Sequence, residues 1–176
     1  LDLLKMFEEC GVEAITIHAR TRDQLYKGVA DWSYIEKAVN FSKIPIIANG
    51  DIWTIDDIDN IFSRCNPYAV MCGRSALKTP WLASIYKEFQ GKSDFITDDF
   101  LLKVRAQNLD IYFHELEKEY RKFGFAEGML LKRFKAFCRY LFDDYQNFEL
   151  LRGKFLRSQT LQEFKFHLDQ FVANYS

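Results

Sequence analysis

The sequence contains no apolar run approaching the roughly 18 to 20 residues that cross a bilayer as a helix, so a membrane-spanning helix is not expected. It offers no signal peptide. The opening Leu1-Asp2-Leu3-Leu4-Lys5-Met6-Phe7-Glu8-Glu9-Cys10-Gly11 lacks a basic start, and acids interrupt its short apolar run. A surplus of one charge is also missing. Lys plus Arg number 24 and Asp plus Glu 25, a formal net charge of −1, which argues against a uniformly basic nucleic-acid binder. Cysteine is sparse and scattered. Cys10, Cys65, Cys72 and Cys138 form no Cys-x-x-Cys pair and have no histidine at zinc spacing, which argues against a metal site and a disulfide framework. They read as reduced thiols of a cytoplasmic protein. No internal repeat or low-complexity segment is found. The remainder is ordinary globular material, 48 % hydrophobic and 28 % charged over 176 residues, which excludes a disordered or collagen-like chain. Aromatics stand out at 16 %, with 17 Phe.

The first residues read as an amphipathic helix, with Leu3, Leu4, Phe7 and Cys10 on one side and Gly11 closing it. A chain that opens inside a helix, without Met, is expected to be part of a longer protein. From there strand and helix alternate. Glu13–Ala19, Ile44–Ala48 and Tyr68–Cys72 are short apolar runs that read as strands. Helices are expected from Asp31-Trp32-Ser33 to Phe41, from a Thr54 cap to Arg64 with Asp56 and Asp57 in the first turn, and from Ser75 or Ala76 to Phe89. Such alternation implies parallel strands buried on both faces. Three strands need further partners, in a continuing open sheet or in a barrel. Composition changes near Gln90-Gly91-Lys92-Ser93-Asp94, and no strand signal follows. Helical patterns cover Asp98–Lys122, Ala126–Phe142, Phe148–Phe155 and Thr160–Ala173, the last opened by a capping box of Thr160 and Glu163. The organisation is therefore residues 1–90 of α/β type and a helical bundle over 95–176.

The charge distribution says more than the sum. Residues 121–157 hold nine bases and four acids, a local +5, which leaves −6 for the rest. At 100° per residue, Lys132, Lys135 and Arg139 fall within roughly 60° of one another, opposite Phe134, Phe137 and Leu141. The three cations form a face that could meet successive phosphates. A plain solvated face is the other reading of the same pattern.

In α/β folds ligands bind at the carboxyl ends of strands. Here those ends read His18-Ala19-Arg20-Thr21, Asn49-Gly50-Asp51 and Gly73-Arg74. Gly50 and Gly73 allow backbone N–H groups to approach an anion. Arg74 can form a bidentate contact with phosphate, just before a helix start that favours negative charge. Turn glycines with incidental polar neighbours remain the alternative. His18 has no adjacent nucleophile and no paired carboxylate, which favours a hydrogen-bond donor to a cofactor over a general base. Arg20, Tyr26 and Lys27 either line a substrate opening or belong to a solvent loop. His114 and His167 read as structural or exposed.

The segments IHARTRDQLYKGVADW (Ile17–Trp32), PIIANGDI (Pro45–Ile52) and AVMCGRSAL (Ala69–Leu77), with Pro80-Trp81, resemble the tRNA-dihydrouridine synthases in order and spacing. The resemblance is strong over residues 1–90 and rests on helical pattern and basic residues over 95–176. It implies the C-terminal portion of a TIM (β/α)₈ barrel, about three strands, followed by an all-α helical bundle that binds tRNA. It implies FMN held by His18, Asn49, Gly50, Asp51, Gly73 and Arg74, with NADPH as reductant. It implies tRNA contacts at Arg20, Lys132, Arg133, Lys135 and Arg139, and a monomeric intact protein. The reaction implied is reduction of the uridine C5=C6 bond in the tRNA D-loop, with hydride passing from the flavin to C6 and a cysteine protonating C5. That cysteine is expected upstream, because none of the four here lies in the family's catalytic context, and this chain alone is expected to be inactive. Two rivals remain: another FMN barrel oxidoreductase acting on a small molecule, and a non-catalytic RNA-binding remnant.

Overall fold

Three short β-branched runs pair side by side as a parallel sheet in the order β1-β2-β3: β1 Ile15–His18, β2 Ile46–Asn49 and β3 Ala69–Met71. The computed structural model describes residues 1–25, 27–89, 98–142 and 148–175. Its chain forms two compact units, Leu1–Ala76 with Leu82–Gln90, and Leu77–Trp81 with Gly91–Ser176. The Gln90–Asp94 composition change and Tyr26 lie outside the described residues.

In the first unit, α1 (Asp2–Glu9) leads into β1, α2 (Ser33–Phe41) connects β1 to β2, and α3 (Ile55–Cys65) connects β2 to β3. The strands are shorter than the sequence runs for definite reasons. Pro45 has no N–H to give the ladder, so β2 starts at Ile46, while the Pro45 carbonyl still accepts from Ile15 N at 3.0 Å. Register places Ile17 beside Ala48 and His18 beside Asn49, and Asn49 beside Met71. Residues so paired point to the same face.

The two faces differ. Ile46 and Ala48 of β2 are buried, with Ile35 and Ala38 of α2 and Ile55, Ile58 and Ile61 of α3 completing a dry aliphatic layer. The opposite face carries Thr16, Ile47, His18, Asn49 and Met71, half-buried or exposed. Burial on both faces, expected from the apolar runs, is thus found on one face only. On β1, Leu3, Leu4 and Phe7 of α1 border a groove of about 540 Å³ with Ile15, Ile17 and Ala38.

Thr54 caps α3 more completely than its sequence position announces. Its side chain accepts from Asp57 N at 3.1 Å, and the Asp57 carboxylate accepts from Thr54 N at 2.9 Å. After β3 the expected single helix is two: α4 (Arg74–Lys78) and α5 (Leu82–Phe89). Pro80 lies between them; it lacks an N–H and disfavours helical geometry at the residue before it.

The second unit contains α6 (Asp98–Lys122), α7 (Glu127–Leu141), α8 (Phe148–Arg157) and α9 (Leu161–Ala173). Helix α9 packs on α6, α7 and α8. The aromatic surplus fills the space between them. Phe113, Phe134 and Phe164 meet at centroid distances of 4.9 to 5.4 Å, and Phe142 stacks on Phe155 at 4.7 Å. Phe134 and Leu141 are fully buried, while Phe137 is half-buried against the Tyr112 ring. At the α9 start Thr160 accepts from Glu163 N at 3.0 Å, but the Glu163 carboxylate takes the Gln159 N–H at 2.7 Å, one residue earlier than in a reciprocal box.

Candidate functional site

The parallel register brings the carboxyl ends of all three strands to one edge of the sheet. There His18, Asn49, Gly50, Asp51, Ile52, Trp53, Met71, Gly73, Arg74 and Ser75 line a cavity of about 170 Å³. All six strand-end residues read from the sequence as ligand-binding are in this wall. Trp53 and Ser75 join it without any sequence signal of their own.

The cavity floor is the row His18, Asn49 and Met71 on the open sheet face. Asn49 Nδ2 donates to the Met71 carbonyl at 2.6 Å, which fixes its amide across the β2–β3 edge. Chain reversal after β2 uses two left-handed residues in succession, Gly50 at φ 122 and Asp51 at φ 50. A side chain at Gly50 would have to fit its Cβ 3.0 Å from Ala30 Cβ, so glycine is required there by space as well as by backbone angle. The Trp32 indole Nε1 donates to the Gly50 carbonyl at 2.8 Å and ties the turn to the start of α2.

Asp51 is the electrostatic centre of the turn. Its Oδ2 accepts from Ala30 N at 2.7 Å and from Arg20 Nη2, and its Oδ1 accepts from Arg74 Nη2 at 3.3 Å. Burial pushes the carboxyl's pKa up, but the Ala30 N–H and the hydrogen bond and charge of Arg20, with Arg74, outweigh it and hold it below the usual carboxylate range. Arg74 lies over the Trp53 ring at 4.8 Å and is 42 % exposed. Helix α4, which begins at Arg74, is only five residues long, so its dipole adds little and the cationic character comes from the arginine.

Arg20 differs from the expectation that it faces RNA. Its side chain is 3 % exposed, bound to Asp51 and to the Gly28 carbonyl at 2.9 Å. The reason is local: Asp51 turns its carboxylate back toward the loop after β1, where Arg20 pairs with it. Lys27 is exposed in the same loop, and Tyr26 lies outside the described residues. No cysteine occurs among the described cavity residues. Cys65 and Cys138 are buried, and burial pushes both thiols up, away from reactivity.

In the helical unit Lys132, Arg133 and Arg139 are exposed and Lys135 is half-buried on α7. Among the described residues none of the four has a carboxylate within ion-pair distance. Their neighbours on other helices do. Lys118 pairs with Glu115, Lys122 with Glu119, and Arg121 and Lys165 share the buried Glu117.

The fold and site define a parallel strand–helix unit whose carboxyl edge presents a small cavity with a cationic rim. The dihydrouridine synthase family model matches residues 1–165, and the chain belongs to that family. It is 29 % identical over 133 residues to tRNA-dihydrouridine synthase B of Pasteurella multocida, covering 76 % of this chain and 39 % of that protein. It is 43 % identical over 82 residues to a probable tRNA-dihydrouridine synthase of Rickettsia conorii, covering 47 % of this chain and 25 % of the relative. A probable tRNA-dihydrouridine synthase of Aquifex aeolicus is 39 % identical over 92 residues, or 52 % of this chain and 28 % of its own length. The chain thus spans about a quarter to two fifths of the relatives it matches.

Proposed function

We propose that this chain supplies the last three strands of a (β/α)₈ barrel and a tRNA-binding helical domain, residues 1–90 and 95–176, to an FMN-dependent tRNA-dihydrouridine synthase. The observation that carries the proposal is the convergence of His18, Asn49, Gly50, Gly73 and Arg74 on one cavity at the strand ends, in a chain whose family match runs over residues 1–165. Phosphate sites built from the last strand–helix loops are a recurrent barrel arrangement.

Several features of the cavity suit FMN. At about 170 Å³ it is smaller than the roughly 300 to 1,000 Å³ of pockets that bury whole ligands, which fits one end of an elongated molecule. A Cβ at Gly73 would meet nothing within 4 Å, so the backbone there faces open space that an anion can enter. Ser75 is 3 % exposed, and its hydroxyl has no partner among the described residues, a donor that a phosphate oxygen would satisfy. Arg74, Gly73 and Ser75 would hold the phosphate, and His18, on the open face, would donate toward the flavin. Bound FMN would supply hydride chemistry, replenished by NADPH.

On the helical side, Lys132, Arg133, Lys135 and Arg139 would meet tRNA phosphates. That contact offsets the few kcal/mol needed to turn a uridine out of its stack. The proton donor for C5 lies outside this chain. A flavin oxidoreductase with a small substrate would have no use for a helix whose Lys132, Arg133, Lys135 and Arg139 have no carboxylate partner among the described residues.

The test is incubation of the full-length protein, loaded with FMN, with NADPH and an unmodified tRNA transcript. Dihydrouridine is expected in the D-loop. Bound flavin that is reduced by NADPH without forming dihydrouridine would contradict the proposal.

A further inference from the structure

We propose that Asp51 is a positioning residue: it holds the Arg74 guanidinium in place for the cofactor's phosphate and couples that site to the Arg20–Ala30 loop. The inference rests on the FMN reading above but assigns Asp51 a role other than ligand.

A carboxylate lining an anion site repels the anion, unless its charge is already committed. Here it is committed on both oxygens. Oδ2 accepts from the Ala30 N–H and from Arg20, and Oδ1 faces Arg74 Nη2 at 3.3 Å. Two cations flank one carboxylate, so the cluster keeps a net positive charge toward the cavity. Arg74 is thereby held on two sides, by the Trp53 ring at 4.8 Å and by Asp51 along one edge of its fork. Fixing a guanidinium before the ligand arrives reduces the ordering that binding must impose.

The other oxygen faces the opposite way. Arg20 is 3 % exposed, and its Nε and Nη1 have no partner among the described residues, so Asp51 is its principal neutralising contact. The same guanidinium donates to Gly28 O, and Ala30 N–H donates to the same carboxylate oxygen. Both ends of the loop after β1 therefore converge on Asp51. Its backbone is held left-handed at φ 50, a conformation that a non-glycine residue retains only where its surroundings enforce it. A displacement of Arg74 on phosphate binding reaches the loop through this carboxylate, which Arg74, Arg20 and the Ala30 N–H all contact.

The test is equilibrium titration of the full-length protein with FMN and, separately, riboflavin, which lacks the phosphate. Asp51→Asn is expected to weaken FMN binding by roughly tenfold, the scale of losing one charge-assisted contact, with riboflavin affinity unchanged within about twofold. Arg74→Ala should remove the same FMN preference, and the double variant should be no worse than Arg74→Ala alone. In the wild type, FMN should slow tryptic cleavage after the exposed Arg22 and Lys27, and in Asp51→Asn it should not. If Asp51→Asn fails to fold because Arg20 is left buried without its counter-charge, the Arg20→Gln/Asp51→Asn pair removes both charges. That pair should still lose the FMN preference. Equal losses for both flavins, or additive effects of Asp51→Asn and Arg74→Ala, would overturn the inference. A wild-type protein that binds FMN no better than riboflavin would overturn the phosphate reading and this inference with it. A wild-type preference that Asp51→Asn leaves intact would overturn this inference alone.

Discussion

Neutralising Lys132, Lys135 and Arg139 together is expected to weaken tRNA binding by an amount that depends on salt. These three cations share an arc of α7 opposite its buried face of Leu130, Phe134, Cys138 and Leu141, and among the described residues none has a carboxylate partner. A cation without an internal partner releases a condensed counterion when it meets a phosphate, contributing about 0.7 to 0.9 to the slope of log K against log salt. Three such contacts contribute a slope of about 2 to 3. Between about 50 and 200 mM salt, wild-type affinity should therefore fall roughly 20- to 40-fold more than that of the triple variant. The assay is fluorescence anisotropy with labelled tRNA at several salt concentrations, on the full-length protein. The control is Lys118→Gln/Lys122→Gln, whose cations are already bound to Glu115 and Glu119 and should shift the slope less. Stability should change within about 0.5 kcal/mol, as for other surface substitutions. Parallel salt slopes for wild type and triple variant would refute the reasoning, whatever the change in absolute affinity.

Phe134→Ala empties a fully buried position between the Phe113 and Phe164 rings. It should destabilise the helical unit by about 3 to 5 kcal/mol, read by denaturant unfolding. Thr54→Ala removes the reciprocal cap of α3 and should cost about 1 kcal/mol in the same measurement. Ser75→Ala deletes a buried hydroxyl with no partner among the described residues, so the flavin-free protein should become more stable while FMN affinity falls; an unchanged affinity would remove Ser75 from the phosphate site. Against burial, which raises both pKa values, Arg20 and Arg74 with the Ala30 N–H depress that of Asp51, and Lys165 and Arg121 depress that of Glu117. Depressed carboxylates stabilise the fold above their unfolded pKa of about 4 and lose that contribution as pH falls through the lower folded value. Urea melts from about pH 6 down to pH 3 should show the loss in wild type and a smaller one in Glu117→Gln.

The strands are legible because Ile15–His18 and Ala69–Met71 lie within apolar runs and Ile46–Asn49 overlaps the run Ile44–Ala48; that strand starts later, after Pro45, and ends one residue further on, because Asn49 still pairs with His18 and Met71. Helix α6 is legible to the residue, Asp98–Lys122. The break at Pro80 is missed, because the apolar period on either side reads as one continuous helix. Side-chain direction is not legible. Nothing in the spacing of Arg20 and Asp51, 31 residues apart, says that they form a buried pair, because that pairing depends on the left-handed turn at Gly50 and Asp51 and on the Ala30 N–H. For the same reason Trp53 beneath Arg74 and the enclosed hydroxyl of Ser75 have no sequence signal. The convergence of six strand-end residues on one cavity is legible, since parallel strands in register bring their carboxyl ends to one edge.

The measurement that bears most directly on the central claim, that this edge holds the phosphate of FMN, is the dissociation constant for FMN of Arg74→Ala beside that of wild type, in the full-length protein. Loss of a charged, partly desolvated contact worth about 1.5 to 3 kcal/mol predicts a roughly 10- to 150-fold weaker constant, with riboflavin affinity unchanged. Equal FMN affinity in the two proteins would contradict the account.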